Sequence, residues 1–575
     1  MNRAGFLGAT ALAALLAACA DEARAPDEGQ ATAAAPASAP RGAVAESAAD
    51  LSVQWPGYNR TLTSERFVPL AEITPQNVAS LDEVCSYDTG LTTSFQTGPI
   101  VVDDVMVFTS EFETFAIGAG DCEERWRVAH DYEAISPLAV NRGAAYLDGR
   151  LFRGTQDGQL LALDASTGET LWSVQLGIEK KGETTPAAPI AWNGKVFIGN
   201  AGGDNYGVKG RIYAFDAATG EALWETYLVP SATVADAEPA SIVSAARVNE
   251  VADAFGQTWE TGEEEAITGG ATWTSYTLDP GANGGRGLLY VPAGNPAPDF
   301  IPEMRTGENL LTNTITVLDA QTGAYVRHHS LVPADFHDWD ASAAPAVITT
   351  RGGRRIVASV VKDGILRAHD DEGGERLYEV PVTTQFNVTA PLTQEGTRFC
   401  PGSQGGAEWN TAAYSPDTNM LYTGTVDWCT TVRVKTIEEA ASVSMGQPWS
   451  GSADEENVFG EFDPKEEGRG WVYAVDADTG EVAWRWEAPT PILAHLTPTA
   501  GGVVFTGDLN GVMHAFDAGD GTELARWQVG GPIGGGLISY ETGGRQVVAV
   551  TSGMNAAIWP WEGGTAKVTV YGLPG

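Results

Sequence analysis

The sequence has few basic residues. It contains 34 lysines and arginines against 75 aspartates and glutamates, which gives a formal net charge of −41 and a pI near 4.4. A chain with this charge repels phosphate backbones, so nucleic acid is excluded as a partner. The same field attracts cations and basic proteins, and it also suits a well-solvated acidic surface.

Cysteine is scarce as well. The chain has five cysteines and no Cys-x-x-Cys-His sequence, so it carries no covalently attached c-type haem. Apart from Cys19, an even number remains, which in an exported chain indicates two disulfides. We expect neighbours in sequence to pair, Cys85 with Cys122 and Cys400 with Cys429, although the sequence permits three connectivities.

Long apolar runs are absent after the N-terminus. The run "AGFLGATALAALLAA", which follows Arg3, is too short to span a bilayer stably and is typical of a secretion signal. "LLAAC", Leu15 to Cys19, resembles a bacterial lipobox, in which the cysteine is lipidated; an ordinary Ala-x-Ala signal peptide is the alternative. We therefore expect a periplasmic protein, anchored to the outer membrane only through lipid at Cys19.

Three regions follow from this reading. Residues 1–18 are predicted to be the lipoprotein signal peptide. Residues 19–50 are rich in Ala and Pro with almost no large apolar groups, so they cannot bury a core and are predicted to be a flexible tether. Residues 51–575 are predicted to form one large domain.

An internal repeat predicts the fold of that domain. "LLALDASTGETLWS" (160–173), "IYAFDAATGEALWE" (212–225) and "VYAVDADTGEVAWR" (472–485) share an alternating strand, a turn with Asp and Gly, and a second strand ending in Trp. Alternation is typical of half-buried strands, and the turn suits a tight hairpin. The tryptophans recur every 43 to 52 residues, the spacing of propeller blades rather than of helical solenoids.

Seven such motifs are visible, counting weaker copies near 114–126, 316–328, 367–379 and 514–527. We expect an eighth blade that combines residues near Trp55 with the C-terminal strands "LISYE" and "RQVVAVTSG". Long loops are predicted near 230–268 and 430–469. The fold class predicted is therefore all-β, an eight-bladed β-propeller whose repeats dock through tryptophan.

The tandem "AxDAxTGxxxW" repeats resemble those of pyrroloquinoline quinone (PQQ) dehydrogenases over residues 52–575. Noncatalytic outer-membrane assembly lipoproteins carry similar blades, so the activity has to be inferred from the site. The resemblance implies a set of PQQ contacts. Arg142 and Thr155 would contact carboxylates and donate hydrogen bonds, Trp273 would stack on the ring system, and Lys362 would lie near the quinone oxygens. Thr184 is a weaker hydrogen-bond candidate, and Gln96 and Glu408 stand where relatives have an acid and an Asn, respectively.

The same resemblance implies a metal site. "AGNPAP" supplies Asn295, whose amide oxygen suits a hard cation. "GGDNYGVKG" matches the segment that normally provides a Glu ligand, and here Asn205 stands at that position with Asp204 before it. Asp338 and Asp340 complete the expected ligands. Calcium is implied, with a lanthanide as the alternative because an acid at the second position resembles the lanthanide-using branch.

"DFHDWDAS" (335–342) is the segment that resembles the family's catalytic base, and Asp338 takes the base position. In an extended segment Asp338 and Asp340 share a face, whereas Asp335, His337 and Trp339 share the other. Two carboxylates on one side repel each other unless a cation or a proton lies between them. A one-residue gap would make Asp340 the base instead. His337 is expected to pack or hydrogen-bond.

Two further positions depart from the family's pattern. Ser136-Pro137 stands where many relatives have adjacent active-site cysteines, and Leu493 stands where they have a tryptophan.

The resemblance implies a PQQ- and metal-dependent enzyme that oxidises an alcohol, or a polyol or sugar hydroxyl, and passes electrons to a separate acceptor such as a soluble or membrane cytochrome c. The alternative is a noncatalytic propeller lipoprotein that scaffolds envelope assembly. A third hypothesis is a propeller that binds another ligand in the same hollow.

Overall fold

The structure is a computed structural model that describes residues 53–132, 138–230, 246–248, 254–261 and 266–575. The predicted signal peptide and tether lie outside the described residues. Ser136, Pro137 and much of the predicted loop at 230–268 lie outside them too.

Strands are the main regular elements of the described chain, and they form seven antiparallel sheets of four strands and one sheet of five. We number these sheets as blades. One strand, β1 (Asp82–Asp88), precedes the first complete blade. Blade 1 contains β2 (Ile100–Val102), β3 (Val105–Thr109), β4 (Glu113–Gly118) and β5 (Glu124–Ala129). Blade 2 contains β6 (Ala145–Leu147), β7 (Arg150–Gly154), β8 (Gln159–Asp164) and β9 (Thr170–Gln175).

Blade 3 adds a fifth, parallel strand to the usual four. Its strands are β10 (Ile190–Trp192), β11 (Lys195–Gly199), β12 (Arg211–Asp216), β13 (Ala222–Tyr227) and β14 (Ala246–Val248). Two short strands, β15 (Thr268–Gly269) and β18 (Pro296–Ala297), pair with each other beside blade 4. Blade 4 contains β16 (Thr277–Asp279), β17 (Leu288–Pro292), β19 (Thr314–Asp319) and β20 (Tyr325–Ser330).

Blade 5 contains β21 (Ala346–Thr349), β22 (Arg355–Val360), β23 (Ile365–Asp370) and β24 (Arg376–Pro381). A small sheet of β25 (Thr397–Phe399), β28 (Thr430–Val432) and β29 (Glu461–Phe462) accompanies blade 6. Blade 6 contains β26 (Ala413–Ser415), β27 (Met420–Gly424), β30 (Gly470–Asp476) and β31 (Val482–Ala488).

Blade 7 contains β32 (Thr497–Pro498), β33 (Val503–Gly507), β34 (Val512–Asp517) and β35 (Glu523–Gln528). The last blade contains β36 (Leu537–Thr542), β37 (Arg545–Ser552) and β38 (Lys567–Gly572) together with β1. The helices are short: α1 (Ala282–Gly285), α2 (Ile437–Ala441), and 3-10 turns at Val78–Ser80, Glu179–Lys181, Gly256–Thr258, Pro302–Met304 and Lys465–Glu467. None of these described helices has the length and hydrophobicity needed to cross a bilayer.

A repeated aromatic side chain, usually tryptophan, joins several blades to the next one. Trp126 of blade 1 donates its indole N–H to the Ala165 carbonyl in blade 2, at 3.1 Å. Gly168 of the same turn has φ +75°, and an added Cβ there would lie 2.7 Å from the Trp126 ring. The turn therefore needs Gly both for its left-handed backbone and for room under the indole. The same contact recurs for Trp172 with Gly220, Trp224 with Gly323, Tyr378 with Gly480 and Trp484 with Gly521.

Apolar side chains from neighbouring blades fill the space between the sheets. One buried cluster, for example, contains Phe152, Phe197 and Leu289, which belong to blades 2, 3 and 4. Burial of both sheet faces explains why the central strands of each blade read as nearly continuous apolar runs.

The last blade corrects one prediction. The N-terminal contribution is β1, which pairs with β38 from Asp82–Gly572 to Asp88–Lys567. Trp55 lies elsewhere, bridged to Val101 of blade 1. The prediction missed β1 because its burial pattern is mostly exposed, so it lacks the apolar alternation on which the sequence reading depended.

Both predicted disulfides are confirmed. Cys85 bonds to Cys122, and Cys400 bonds to Cys429. The first links β1 of the last blade to the turn before β5 of blade 1, so it reinforces the closure of the ring.

Candidate active site

Loops at the ends of the blade strands surround one cavity of about 450 Å³, in the part of the chain that the structure describes. Its volume lies within the range of about 300–1,000 Å³ typical of small-molecule sites. Of the residues predicted to form the site, the lining contains all but Thr155: Gln96, Arg142, Thr184, Asp204, Asn205, Trp273, Asn295, Asp338, Asp340, Lys362 and Glu408.

Lys362 lies between the two aspartates of the "DFHDWDAS" segment. Its ammonium is 2.8 Å from Asp340 Oδ2 and 3.2 Å from Asp338 Oδ2. The cation that the sequence reading required between these carboxylates is therefore, in this structure, a lysine that follows β22. Burial would lower the pKa of Lys362, but the charges of Asp338 and Asp340 outweigh it and raise that pKa well above its usual value.

The loop that carries Asp338 is not a regular extended strand. Asp338 has φ +65°, a left-handed conformation that costs a non-glycine residue about 1–2 kcal/mol. Asp335 stabilises this turn, because its carboxylate accepts the backbone N–H groups of His337 at 3.1 Å and Trp339 at 3.0 Å. The His337 and Trp339 rings stack with centroids 4.0 Å apart. Asp338 and Asp340 line the cavity whereas Asp335, His337 and Trp339 do not, and a turn rather than an extended strand separates them.

A second acidic group borders this one. Carboxylate oxygens of Asp204, Asp299 and Asp338 lie within 4.8 Å of one another. Asp299 is fully buried, and its Oδ2 has no hydrogen-bond partner among the described residues; the same is true of Asp338 Oδ1. Burial raises the pKa of Asp204 to about 6, with the charge of Asp340 adding to it. Burial likewise raises the pKa of Asp338.

The two asparagines of the predicted metal site differ in orientation. Asn295 is buried and donates its amide to Asp299 Oδ1 at 3.0 Å, so its side chain lies among the acids. Asn205 lines the cavity, but its amide nitrogen donates to the carbonyls of Lys181 at 3.4 Å and Gly182 at 3.3 Å. Asp204, rather than Asn205, is therefore the residue of its segment that lies in the acidic group.

Another part of the cavity wall combines aromatic rings with basic side chains. The Arg142 guanidinium lies 5.1 Å from the Trp273 ring centroid and 3.8 Å from that of Trp409. Arg142 donates to Gln96 Oε1, while its Nε has no hydrogen-bond partner among the described residues. The Lys362 ammonium lies 5.8 Å from the Trp273 centroid. An aromatic face with two cations above it suits a planar anion.

Glu408 is buried in the same cavity. Burial raises its pKa to about 7, and the charges of Lys362 and Arg142 act in the opposite direction. A carboxyl group with this pKa is partly protonated near neutral pH, so it can donate a hydrogen bond as an amide can.

One predicted contact, Thr155, and one position that departs from the family's pattern, Leu493, are not part of the cavity lining. The Thr155 hydroxyl is buried in its own hairpin turn, where it donates to Asp157, and the residue does not line the cavity. Leu493 is buried in an apolar cluster with Trp409 and Trp559, behind the cavity wall.

The sequence reading missed Asp299 and the apolar wall formed by Phe459 and Trp559. Asp299 follows Asn295 by four residues in "NPAPD", so an acid this near to an expected metal ligand was the available signal. Phe459 belongs to the predicted loop at 430–469, and nothing in its local pattern distinguishes it from a surface residue.

The residues present fit both groups that the resemblance implied. Unpaired buried carboxylate oxygens next to an amide side chain form the donor set that a hard cation prefers. The half-exposed Trp273 face with Arg142 and Lys362 above it fits a planar ligand that carries carboxylates and carbonyls.

Comparison with known proteins agrees with this geometry. A family profile described as glucose/ethanol/alcohol dehydrogenase, beta-propeller domain, matches residues 55–390. A second profile, for the outer membrane protein assembly factor BamB, matches residues 468–568. The predicted site residues, from Gln96 to Glu408, all lie outside that second range.

Individual relatives cover most of the chain. The dehydrogenase subunit of a quinone-dependent alcohol dehydrogenase from Gluconacetobacter polyoxogenes is 29% identical over 90% of this chain and 73% of its own. A lanthanide-dependent methanol dehydrogenase from Methylacidiphilum fumariolicum is 27% identical over 87% of this chain and 85% of its own.

Among solved structures, the quinohemoprotein alcohol dehydrogenase ADHIIG from Pseudomonas putida superposes with a TM-score of 0.77 at 26% identity. The match covers 91% of this chain and 80% of that one. From the matched family profile and the site that its propeller surrounds, the chain belongs to the PQQ-dependent dehydrogenase family of glucose, ethanol and alcohol dehydrogenases.

Proposed function

We propose that the cavity binds PQQ and a hard cation, and that it oxidises an alcohol, or a polyol or sugar hydroxyl, to a carbonyl. The observation that carries this proposal is the unpaired, buried Asp338 Oδ1 in a cavity that also contains Lys362 and the Trp273 face. Such a constellation combines a base, an electrophilic cation and a stacking surface.

The chain's own residues have distinct roles in binding the cofactor. Trp273 supplies the flat surface, and Arg142, with an unpaired Nε, supplies a cation for carboxylates. Thr184 and Glu408 line the same space and offer hydrogen bonds. Phe459 and Trp559 close the remaining side with apolar surface, which excludes water from the reacting atoms.

Asp338 is the general base in this proposal. When bound, the quinone supplies a two-electron acceptor for the hydride of the carbinol carbon, and the cation supplies a Lewis acid. Asp338 accepts the proton of the substrate hydroxyl through Oδ1, while Lys362 holds its Oδ2 at 3.2 Å. The carbinol carbon thereby loses a hydride and the hydroxyl loses a proton, which leaves the carbonyl.

The contacts favour Asp338 over Asp340 as the base. Asp340 Oδ1 accepts the Asn295 backbone N–H at 3.0 Å, and its Oδ2 is 2.8 Å from Lys362. Both of its oxygens are therefore engaged, whereas Asp338 keeps one oxygen for a substrate.

Turnover tests the proposal. The purified chain is incubated with PQQ and either calcium or lanthanum, and reduction of an artificial dye is followed with a panel of alcohols. We expect turnover that requires PQQ and one of the metals. Asp338→Asn is expected to abolish it, whereas Asp340→Asn is expected to change mainly which metal works. No turnover with either metal would overturn the proposal.

We also propose that the protein is exported, lipid-anchored at Cys19, and oxidised by a separate cytochrome c. The net charge of −41 supports a basic partner, because opposite charges speed association. The lipobox-like "LLAAC" supports the anchor. Cys19→Ser is expected to release the protein from the membrane fraction, and cytochrome reduction is expected to slow as salt rises. If Cys19→Ser is released from the membrane but cytochrome reduction does not depend on salt, the lipid anchor is supported and an electrostatically attracted partner is refuted.

The alternative of a noncatalytic assembly lipoprotein has support from the BamB profile match at residues 468–568. A noncatalytic function does not explain why unpaired carboxylates and a lysine lie together in a cavity, and these side chains are outside residues 468–568. The same turnover assay separates the two functions.

A further inference from the structure

Asp299 has no role in the proposal above, yet it is a fully buried acid beside the cavity. One carboxylate oxygen accepts the Asn295 amide, and the other has no hydrogen-bond partner in the described ranges. A buried charge without a partner is strongly unfavourable, so such an oxygen indicates a ligand that the protein binds.

The described cations near Asp299 are already engaged. Arg305 donates to the carbonyls of Pro298 at 3.0 Å, Asp299 at 3.0 Å and Asp335 at 2.7 Å, and it also contacts Asn309 Oδ1 at 2.9 Å. Its guanidinium thus holds the backbone of this loop rather than the Asp299 carboxylate.

Lys362 contacts Asp340 and Asp338 instead. The charge of Arg305 acts on Asp299 and Asp335, so two cations, Lys362 and Arg305, stand against the five carboxylates of Asp204, Asp299, Asp335, Asp338 and Asp340. Three formal negative charges are left over, which is more than a divalent cation neutralises and equals the charge of a trivalent one.

The loop at residues 449–450 contacts the segments of both Asp204 and Asp299. The Trp449 N–H donates to the Asp204 carbonyl at 2.7 Å, and the Phe300 N–H donates to the Ser450 carbonyl at 2.8 Å. Residues 449 and 450 thus join the Asp204 segment to the Asp299 segment. This fixed spacing keeps carboxylate oxygens of Asp204 and Asp299 within 4.8 Å of each other.

We propose that Asp299 is a direct ligand of the cation and replaces the carboxylate that is missing at Asn205. Asn205 cannot supply the missing negative charge, because its side chain is a neutral amide, whose nitrogen donates to the carbonyls of Lys181 and Gly182. Asp204, Asn295 and Asp299 then contact the ion through their side-chain oxygens, the charges of Asp338 and Asp340 border it, and the site selects a trivalent over a divalent cation. This inference rests on the proposed function, since it assigns a ligand in the same metal site.

Terbium binding tests the inference without PQQ or substrate. Tb³⁺ luminescence, excited through the tryptophans around the cavity, reports affinity, and its decay in H₂O and D₂O counts bound waters. Asp299→Asn keeps an oxygen for Asn295 but loses the charge. We expect at least a tenfold weaker Tb³⁺ affinity, a smaller loss for calcium in competition, and about one additional bound water, since water replaces a lost ligand.

Stability provides a second readout that a misfolded variant would not imitate. In the metal-free protein Asp299→Asn removes a repulsive buried charge, so its thermal midpoint is expected to rise. The increase of that midpoint on adding Tb³⁺ is expected to shrink, because a more weakly bound ion stabilises the folded state less at the same concentration. Asp508→Asn is the matched control: Asp508 is equally buried, lies outside the cavity lining, and is expected to leave Tb³⁺ binding unchanged.

The outcomes separate this inference from the function on which it rests. If Asp299→Asn binds Tb³⁺ like the wild type with the same number of waters, Asp299 only positions Asn295 and the inference fails. If the wild type itself binds neither Tb³⁺ nor calcium, the proposed metal site fails with it.

Discussion

Replacing Lys362 with methionine leaves two buried aspartates facing each other without a cation between them. The Lys362 ammonium is 2.8 Å from Asp340 and 3.2 Å from Asp338, and all three side chains are less than a tenth exposed. Breaking a buried ion pair by removing one partner typically costs about 3–5 kcal/mol. We therefore expect Lys362→Met to lower the free energy of unfolding of the metal-free protein by about 3–5 kcal/mol near neutral pH.

Urea unfolding, followed by tryptophan fluorescence, measures this loss. A second variant, Lys362→Met with Asp340→Asn, removes one of the two repelling charges and is expected to recover part of it, which a double-mutant cycle quantifies. Lys195→Met, at a lysine outside the cavity lining, is the control and is expected to change stability by less than about 0.5 kcal/mol. A Lys362→Met protein as stable as the control would refute the role assigned to this ammonium.

Three further predictions address other parts of the cavity. Arg142→Gln is expected to weaken PQQ binding roughly 10–150-fold, because charged hydrogen bonds contribute about 1.5–3 kcal/mol; fluorescence titration of the protein with PQQ measures it. Gly294→Ala places a Cβ 2.6 Å from Asp340 Oδ1, so it is expected to displace Asp340 and to reproduce the metal preference of Asp340→Asn in metal titrations. Glu408 has its pKa raised from 4.5 to about 7, so the folded state binds the proton more tightly and this group's contribution to stability falls as pH rises through that interval. Over the interval between these two pKa values, the free energy of unfolding is expected to change less with pH in Glu408→Gln than in the wild type. The difference summed over the interval is on the order of 3 kcal/mol.

Each of these has a result that would count against it. Unchanged PQQ affinity in Arg142→Gln would mean that the guanidinium does not reach the cofactor. A normal metal preference in Gly294→Ala would show that the loop relaxes around the methyl group. Parallel pH curves for Glu408→Gln and wild type would show that other carboxyl groups dominate the titration.

The blades were predictable because their signal is local. Most hairpins carry their own Asp and Gly, and several aromatic side chains pack on the glycine of the next blade's turn, as Trp126 does on Gly168. The closing strand β1 was not predictable in this way, because its residues are largely exposed and its partner, β38, lies almost 500 residues away in sequence. Pairing at that distance depends on the ring being closed, which no local pattern encodes.

The candidate site likewise combines features that the sequence predicted with features that depend on contacts distant in sequence. Asp338 and Asp340 were assigned from the resemblance of their segment to the family's base segment. The lysine between them comes from the turn between β22 and β23 and was expected near the quinone oxygens. Asp204 or Asn205 was expected as a ligand from the alignment, and the structure adds that the Asn205 amide nitrogen donates to backbone carbonyls. Residues 449–450 and Arg305 hold the Asp299 segment next to the other acids. Contacts between loops of different blades decide these details.

Direct binding of PQQ tests the central claim most simply. The purified chain is titrated with PQQ, with and without calcium or lanthanum, and quenching of tryptophan fluorescence is followed together with the absorbance of the bound quinone. We predict saturable binding of one PQQ per chain that is tighter with metal present and is weakened in Trp273→Ala. Absence of binding under both metals, or binding unaffected by Trp273→Ala, would contradict the assignment of this cavity as a quinone site.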